Sequence, residues 1–121
     1  MSAYAPAPTA YRESAVLTAT PEQLVVMLYD GAIRFLRQAD ALSEEGAWPQ
    51  AIERIGRAQA IMDELTCTLN MDAGELSEKL QSIYVFCAGL LRDARLRKDV
   101  HRIRQVSHLL GELRDAWAEI S

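Results

Sequence analysis

The side chains in this sequence that could support catalysis or metal binding are few and far apart. His101 and His108 are seven residues apart, so they would share one face of a helix, but two imidazoles without a third ligand make a poor metal site. A phosphotransfer bundle would need an exposed histidine beside a basic or small residue, and the sequence after His108, Leu-Leu-Gly-Glu, contains no lysine. The paired Glu-x-x-His motifs of di-iron bundles are also absent from the sequence. We therefore expect no enzymatic activity, no metal site and no cofactor, and we interpret both histidines as solvated helix residues.

The two cysteines, Cys67 and Cys87, lie inside helical patterns. Cysteine is among the most buried residue types, and free thiols are typical of a reducing compartment. We interpret both as small buried residues rather than as a disulfide, and we expect a cytoplasmic protein.

A basic cluster lies between residues 92 and 104, with five arginines and one lysine. One interpretation is that these cations complement the carboxyl end of a helix and then continue into a solvated turn. The alternative is an electrostatic patch for an acidic partner or for RNA. A net charge of −4 and the lack of interleaved aromatic residues make nucleic-acid binding a poor expectation.

Length and composition predict one globular domain. The chain has 121 residues, half of them hydrophobic and a quarter charged, which is enough to bury a core without disulfides or metals. No apolar run approaches the roughly 18 to 20 residues of a membrane span, and the first residues do not have the pattern of a signal peptide. We therefore expect no membrane span.

The order of helical patterns predicts an all-α, antiparallel up-down four-helix bundle. Residues 1–19 are rich in Ala, Pro, Ser and Thr and are expected to form a mobile N-terminal arm. Residues 20–121 carry four helical segments, at about 21–42, 48–69, 75–97 and 100–120, separated by short breaks. Thr20, Pro21 and Gln23 have the types and spacing of a helix start with a capping box, and Asp99 can cap the last helix.

Each predicted helix has an apolar stripe that should face the core. The stripes comprise Leu24, Val25, Leu28, Ala32, Phe35, Leu36, Ala39 and Leu42; Ala51, Ile55, Ala58, Met62, Leu65 and Leu69; Leu76, Leu80, Ile83, Tyr84, Cys87, Leu91 and Ala94; and Ile103, Val106, Leu110, Leu113, Trp117 and Ile120.

The first helix has a second apolar face, formed by Val26, Tyr29 and Ile33. A tilted helix could bury this face inside the bundle. The alternative is that it forms a groove for another chain or for the arm. Both interpretations fit the spacing, and these three residues are candidate partner-binding residues.

The second and third helices also have unusual residues outside their core stripes. In the second helix, Gly56, Ala60 and Cys67 lie beside Ile52, and small side chains of this kind let a foreign helix approach closely. In the third, Val85, Phe86, Gly89 and Leu96 add apolar surface. Single exposed apolar residues are ordinary, but surplus apolar surface on three helices favours a protein-binding function.

Several blocks of this chain together resemble the FliS-type flagellin export chaperones. The blocks are Tyr11, the run from Thr20 to Ala32, the run from Arg57 to Leu65, Gly74 to Ser77, Leu80 and Tyr84, and Asp115 to Trp117. Their order and spacing extend over nearly the whole chain, and the departures lie in the arm and around Trp48 and Pro49.

This resemblance implies a cytoplasmic, non-enzymatic chaperone that holds the C-terminal segment of newly made flagellin. It also implies that the chaperone prevents premature polymerisation and delivers flagellin to the type III export gate, with an export gate component and other flagellar regulators as further partners. An amphipathic client segment of this kind suits apolar grooves on a helix bundle. The alternatives from other classes are a signalling or phosphotransfer bundle and a regulatory bundle that binds another regulator.

The arm presents a similar choice. Its apolar residues either have no fixed contact or fold over an apolar groove until a client arrives. Tyr11 matches the N-terminal tyrosine of the family and is expected to be a contact residue. The complete set of predicted partner-binding residues is Tyr11, Leu17, Val26, Tyr29, Ile33, Ile52, Gly56, Ala60, Val85 and Phe86.

Overall fold

The computed structural model describes residues 17–120 and consists of four long helices. They are α1 (Pro21–Glu44), α2 (Trp48–Cys67), α3 (Glu75–Arg97) and α4 (Val100–Ile120), and a short 3-10 turn, Met71–Ala73, joins α2 to α3. No strand occurs in this described part of the chain. The predicted all-α four-helix bundle is confirmed, and α1 continues two residues beyond the predicted end at Leu42.

The helix ends use the expected capping chemistry. The Thr20 hydroxyl accepts a hydrogen bond from the Gln23 backbone N–H at 3.1 Å, and the Gln23 side chain accepts one from the Thr20 backbone N–H at 3.0 Å, which completes the predicted capping box. The Asp99 carboxylate accepts from the His101 backbone N–H and so caps α4. Between α3 and α4 the chain reverses at Lys98, whose φ of 52° is left-handed.

Each helix packs against the two that neighbour it around a ring, with α1 between α2 and α4. The direction of α4 against α1 follows from two ion pairs: Arg104, near the start of α4, contacts Asp40 at 3.0 Å, whereas Arg114, ten residues later, contacts Asp30 at 2.8 Å. Early residues of α4 therefore meet late residues of α1, as an antiparallel up-down bundle requires.

The core contains most of the predicted stripes. Its buried members are Tyr29, Ala32, Ile33, Leu36 and Ala39 from α1; Ala51, Ile55, Ala58, Met62 and Leu65 from α2; Leu80, Tyr84, Cys87, Leu90, Leu91 and Ala94 from α3; and Ile103, Val106 and Leu110 from α4. Leu24, Leu76 and Ile120 were expected in the core but are exposed. All three lie in the outermost turns at one end of the bundle, where they line open grooves.

The cysteine prediction is half wrong. Cys87 is buried, and burial raises the pKa of its thiol to about 11. Cys67 is exposed because it is the last residue of α2, at the point where the chain leaves the bundle. Both are free thiols.

Candidate partner-binding grooves

A groove lies between α2 and α3, whose interface is the least extensive among neighbouring helices. Its volume is about 420 Å³. The residues lining it are Gln59, Met62, Asp63 and Thr66 from α2 and Tyr84, Val85 and Ala88 from α3. We call it the α2–α3 groove. It is open to solvent, mainly apolar, and long enough to take part of a helix.

Buried aromatic hydroxyls lie behind the α2–α3 groove. The hydroxyls of Tyr84 and Tyr29 hydrogen-bond to each other across the core. Burial raises the pKa of both tyrosines, so both are neutral at physiological pH. The floor of the groove is therefore uncharged and fixed in place by a hydrogen bond within the core.

Val85 is the exposed apolar side chain at the α3 edge of this groove. It lines the groove, yet 67% of its surface is exposed to solvent. Phe86 is 53% exposed, but consecutive helix residues are about 100° apart, so Phe86 points further away from α2. The two residues, which were predicted together, therefore belong to different sides of α3.

The predicted small-residue side of α2 lies in line with the α2–α3 groove, toward the start of that helix. Ile52 and Gly56 precede Gln59 and Asp63 at spacings of three and four, so all four lie along one side of α2. A Cβ added to Gly56 would have no neighbour within 4 Å. From Ile52 to Thr66 this side is about 21 Å long at the helical rise of 1.5 Å per residue.

Ala60 lies at the outer margin of the same side of α2 and is exposed. Across the groove, the Arg95 guanidinium donates a hydrogen bond to the Gln59 side-chain oxygen at 2.8 Å. This bond bridges α2 and α3 at the end of the α2–α3 groove that is nearest the start of α2.

Two smaller apolar grooves meet at Trp117, at the bundle end where α1 begins and α4 ends. One, of about 340 Å³, is lined by Pro21, Glu22, Leu24, Val25, Leu28, Thr68 and Trp117. The other, of about 190 Å³, is lined by Leu76, Leu80, Leu113, Ala116, Trp117 and Ile120. We call the first the Trp117 groove. Neither groove was predicted from the sequence, because Trp117 and its neighbours were assigned to the core. The grooves could have been anticipated because Leu24 and Trp117 lie near helix ends, where apolar residues are less completely buried by neighbouring helices.

The second apolar face of α1 is not a surface in this structure. Tyr29 is fully buried, Ile33 is only 7% exposed and Val26 is partly buried. The physical reason is that α1 lies between α2 and α4, so each of its two apolar faces has a neighbouring helix. Tyr29 and Ile33 are therefore buried inside the bundle rather than exposed in an open groove, and their role as partner-binding residues stays a prediction.

The cleft between α1 and α4 beside Ile33 is polar. It is lined by Asp30, Ile33, Arg34, Arg37, Gly111, Arg114 and Asp115, and the Arg114 guanidinium donates to the Asp30 carboxylate. That hydrogen bond raises the pKa of Arg114. An apolar client segment would find few partners there.

Of the two predicted contact residues in the arm, the structure describes one. Leu17 is exposed, whereas Tyr11 lies outside the described residues. Their predicted roles as contact residues stay predictions.

The histidines lie on the outside of α4. Both are exposed, and the His108 ring is 3.3 Å from Glu112. Within residues 17–120 no group of three His, Cys, Asp or Glu side chains could hold a metal ion. In the same range no helix has both the length and the apolarity needed to span a bilayer.

The basic cluster is only partly neutralised by carboxylates. Arg104 pairs with Asp40 and Glu44, and Arg102 lies 3.7 Å from Asp99. Over the described part of the chain, Arg92, Arg95, Arg97 and Lys98 form no ion pair with a carboxylate. This end of α3 is therefore a free positive surface.

The sequence of this chain is similar to proteins of one known family. Residues 3–121 match the family model described as flagellar protein FliS. The chain is 34% identical over 111 residues to the flagellar secretion chaperone FliS of Bacillus subtilis, covering 92% of this chain and 83% of that protein. It is 36% identical over 111 residues to the flagellar secretion chaperone FliS of Salmonella typhimurium, covering 90% and 82%, and 31% identical over 109 residues to that of Vibrio cholerae, covering 89% and 80%.

Proposed function

The chain belongs to the flagellar protein FliS family, and on that premise we propose that it binds the C-terminal segment of flagellin in the α2–α3 groove. It is a flagellar secretion chaperone and not an enzyme. The finer assignment, of the client segment and of the residues that hold it, is our proposal.

One observation carries this assignment: an exposed apolar side chain borders an open groove whose floor is buried and uncharged. Val85 is 67% exposed at the groove edge, and leaving an aliphatic side chain in water is unfavourable by about 25 cal/mol per Å² of apolar area. An amphipathic helix lying along the groove would cover Val85 and contact Met62 and Ala88. Helix-in-groove recognition of this kind uses apolar residues at i, i+3, i+4 and i+7 of the client.

The expected consequence for the client follows from the same contacts. A flagellin segment whose apolar face lies in the groove cannot use that face to assemble with other flagellin molecules. Binding would thereby prevent premature polymerisation and keep the segment ordered enough for handover to the type III export gate. We propose that the chaperone acts in the cytoplasm, where flagellin is made before export.

The arm fits the proposal as an intramolecular cover. It joins the bundle at Thr20, directly beside Pro21 and Leu24 of the Trp117 groove. Thr66 lines the α2–α3 groove and Thr68 lines the Trp117 groove, so the two grooves lie on different sides of the end of α2. We propose that residues before Leu17 cover the Trp117 groove in the free chaperone, and that a client continuing from Thr66 around the end of α2 displaces them.

The experiment that tests client binding is the Val85→Asp substitution. Because Val85 is exposed, the variant should fold with nearly the stability of the native chain, since surface substitutions usually change stability by no more than about 0.5 kcal/mol. A carboxylate at the groove edge should weaken binding of purified flagellin, measured by isothermal titration calorimetry, by about tenfold or more, because it would be desolvated against an apolar client.

The matched control is Gln38→Asp, which adds the same charge at an exposed position of α1 away from the α2–α3 groove. It should leave flagellin affinity unchanged. If Val85→Asp binds flagellin as tightly as the control does, the client does not use this groove and the assignment is wrong.

A further inference from the structure

Uncompensated positive charge is concentrated at one end of the α2–α3 groove. Arg92, Arg95, Arg97 and Lys98 are exposed in the last turns of α3 and the following residue, and none pairs with a carboxylate of the described residues. Arg95 reaches into the groove, where its partner is the neutral Gln59. We call this the basic end of the groove.

The opposite end is acidic. Between residues 60 and 91 the sequence has five carboxylates and a single cation, Lys79. The carboxylates are Asp63, Glu64, Asp72, Glu75 and Glu78, all exposed. Asp63 lines the groove itself. We call this the acidic end.

The groove therefore runs along a gradient of charge. Because α2 and α3 are antiparallel, the start of α2 lies beside the end of α3, and the end of α2 lies beside the start of α3. Glu78 and Arg92 lie on the same side of α3 and are 14 residues apart, so a segment about 21 Å long beside α3 would have a carboxylate near one end and a guanidinium near the other. Such a segment experiences opposite charges at its two ends.

We propose that this gradient fixes the direction of the bound flagellin segment, with its carboxyl end at the basic end and its amino end at the acidic end. A helix carries roughly half a negative charge at its carboxyl end and half a positive charge at its amino end. Acidic residues after the apolar stretch and basic residues before it would strengthen the same orientation. This inference rests on the proposed function, because it requires a helical client in this groove.

Native Cys67 supplies a direct test of direction. It is exposed at the acidic end, one residue after Thr66, whereas Cys87 is buried. Synthetic peptides of the flagellin C-terminal segment would carry one cysteine at either the amino or the carboxyl end of the apolar stretch. Under mild oxidation of the full-length chaperone, the amino-end peptide should be trapped by Cys67 at least about fivefold more than the carboxyl-end peptide.

A complementary variant places the thiol at the other end. Cys67→Ser combined with Gly56→Cys moves the reactive sulfur along α2 by about 16 Å, and the open space around Gly56 accepts a side chain. This variant should trap the carboxyl-end peptide preferentially. Equal trapping of both peptides, or the reverse preference, overturns the proposed direction.

Charge reversal tests the cause of the orientation. Arg92→Glu combined with Arg95→Glu should weaken binding of the unmodified peptide by about tenfold at low salt, and added salt should reduce the difference. Arg34→Glu with Arg37→Glu, which changes the same charge on the exposed side of α1, should have no such effect. Arg95→Lys, which keeps the charge but loses the planar fork, should retain the trapping preference.

The two hypotheses fail differently. Tight binding with no effect of Arg92→Glu and Arg95→Glu, and no trapping preference, would overturn the charge-directed orientation and leave client binding intact. If the native chaperone binds neither peptide, the proposed function fails and the orientation fails with it.

Discussion

Replacing Ile33 with aspartate tests where α1 buries its second apolar face. The side chain of Ile33 is 7% exposed and belongs to the core cluster, with α4 packed over it. In the alternative arrangement suggested by the sequence, Ile33 would lie in an open partner groove. The two arrangements predict opposite results, because an exposed aspartate costs almost nothing whereas a buried one destabilises the fold.

The magnitude follows from the surroundings of Ile33. Losing the burial of an isoleucine side chain costs about 1.5 to 3 kcal/mol, and burying a carboxylate adds several kcal/mol unless it finds a partner. Ile33 borders the cleft that contains Arg37 and Arg114, and these cations would compensate part of the second cost. We therefore expect Ile33→Asp to lower the free energy of unfolding by roughly 3 to 5 kcal/mol, a large part of the roughly 5 to 15 kcal/mol typical of a domain.

Urea unfolding followed by far-ultraviolet circular dichroism gives this number directly. Val85→Asp is the matched control, because valine and aspartate have similar helix propensities and the site is exposed. Its loss should be below about 1 kcal/mol. If Ile33→Asp is as stable as Val85→Asp, then α4 does not cover this face of α1, and the reasoning about the bundle is wrong.

Further predictions concern the core, the thiols, a turn and the arm. Leu110→Ala should cost about 2 to 5 kcal/mol in urea unfolding, because Leu110 is fully buried; a loss below half of that would contradict its place in the core. Burial raises the pKa of Cys87 from 9.0 to about 11, so a thiol reagent near pH 8 should modify Cys67 rapidly and Cys87 only after unfolding. The thiol of the unfolded chain ionises at a lower pH than the buried thiol, so the free energy of unfolding should be constant below about pH 9 and should fall by roughly 2 to 3 kcal/mol as the pH rises toward 11. The Cys87→Ala variant should lack this fall, and the same pH dependence in both chains would refute the prediction. Gly46→Ala should lower the free energy of unfolding by about 1 kcal/mol, because φ at Gly46 is 76° and alanine is strained there. No atom lies within 4 Å of the added Cβ, so no steric clash adds to this cost; a neutral result would mean that the turn adjusts. Deleting residues 1–17 should speed flagellin association in stopped-flow measurements and increase self-association of the free protein; weaker binding with unchanged solubility would make the arm part of the binding surface instead.

Local sequence signals predicted the helices and most of the core. The capping box at Thr20, the cap at Asp99 and the breaks around Gly46 and Gly74 each depend on a few neighbouring residues, so they could be read in order along the chain. The core stripes followed from the helical period, which α2 and α4 keep with little ambiguity.

The binding surface could be predicted only in part, because exposure depends on where neighbouring helices lie. The spacing of Tyr29 and Ile33 predicts a second apolar face on α1, but it does not reveal that α4 packs against that face. Ile52 and Gly56 share a side of α2 with Gln59 and Asp63, which line the α2–α3 groove, and their role in partner binding stays a prediction. The grooves at Trp117 depend on how far each helix extends at the bundle end, which periodicity alone does not specify.

Only the basic end of the charge gradient along the α2–α3 groove could be recognised in the sequence. The basic cluster from Arg92 to Arg104 was evident as a run of cations. Its relation to Asp63 and Glu78 becomes apparent only when α3 folds back against α2. The structure also shows that Arg104 is neutralised by Asp40 and Glu44 of α1, so the free positive charge belongs to α3 rather than to the whole cluster.

NMR titration of the isotopically labelled chaperone with the flagellin C-terminal segment shows which of its residues the client contacts. If the client lies in the α2–α3 groove, the largest amide shifts will occur at residues of that groove, including Gln59, Asp63 and Ala88, while Gln38 on the exposed side of α1 will be unaffected. Shifts confined to the polar cleft around Arg37 and Arg114, with the α2–α3 groove unchanged, would contradict this placement of the client.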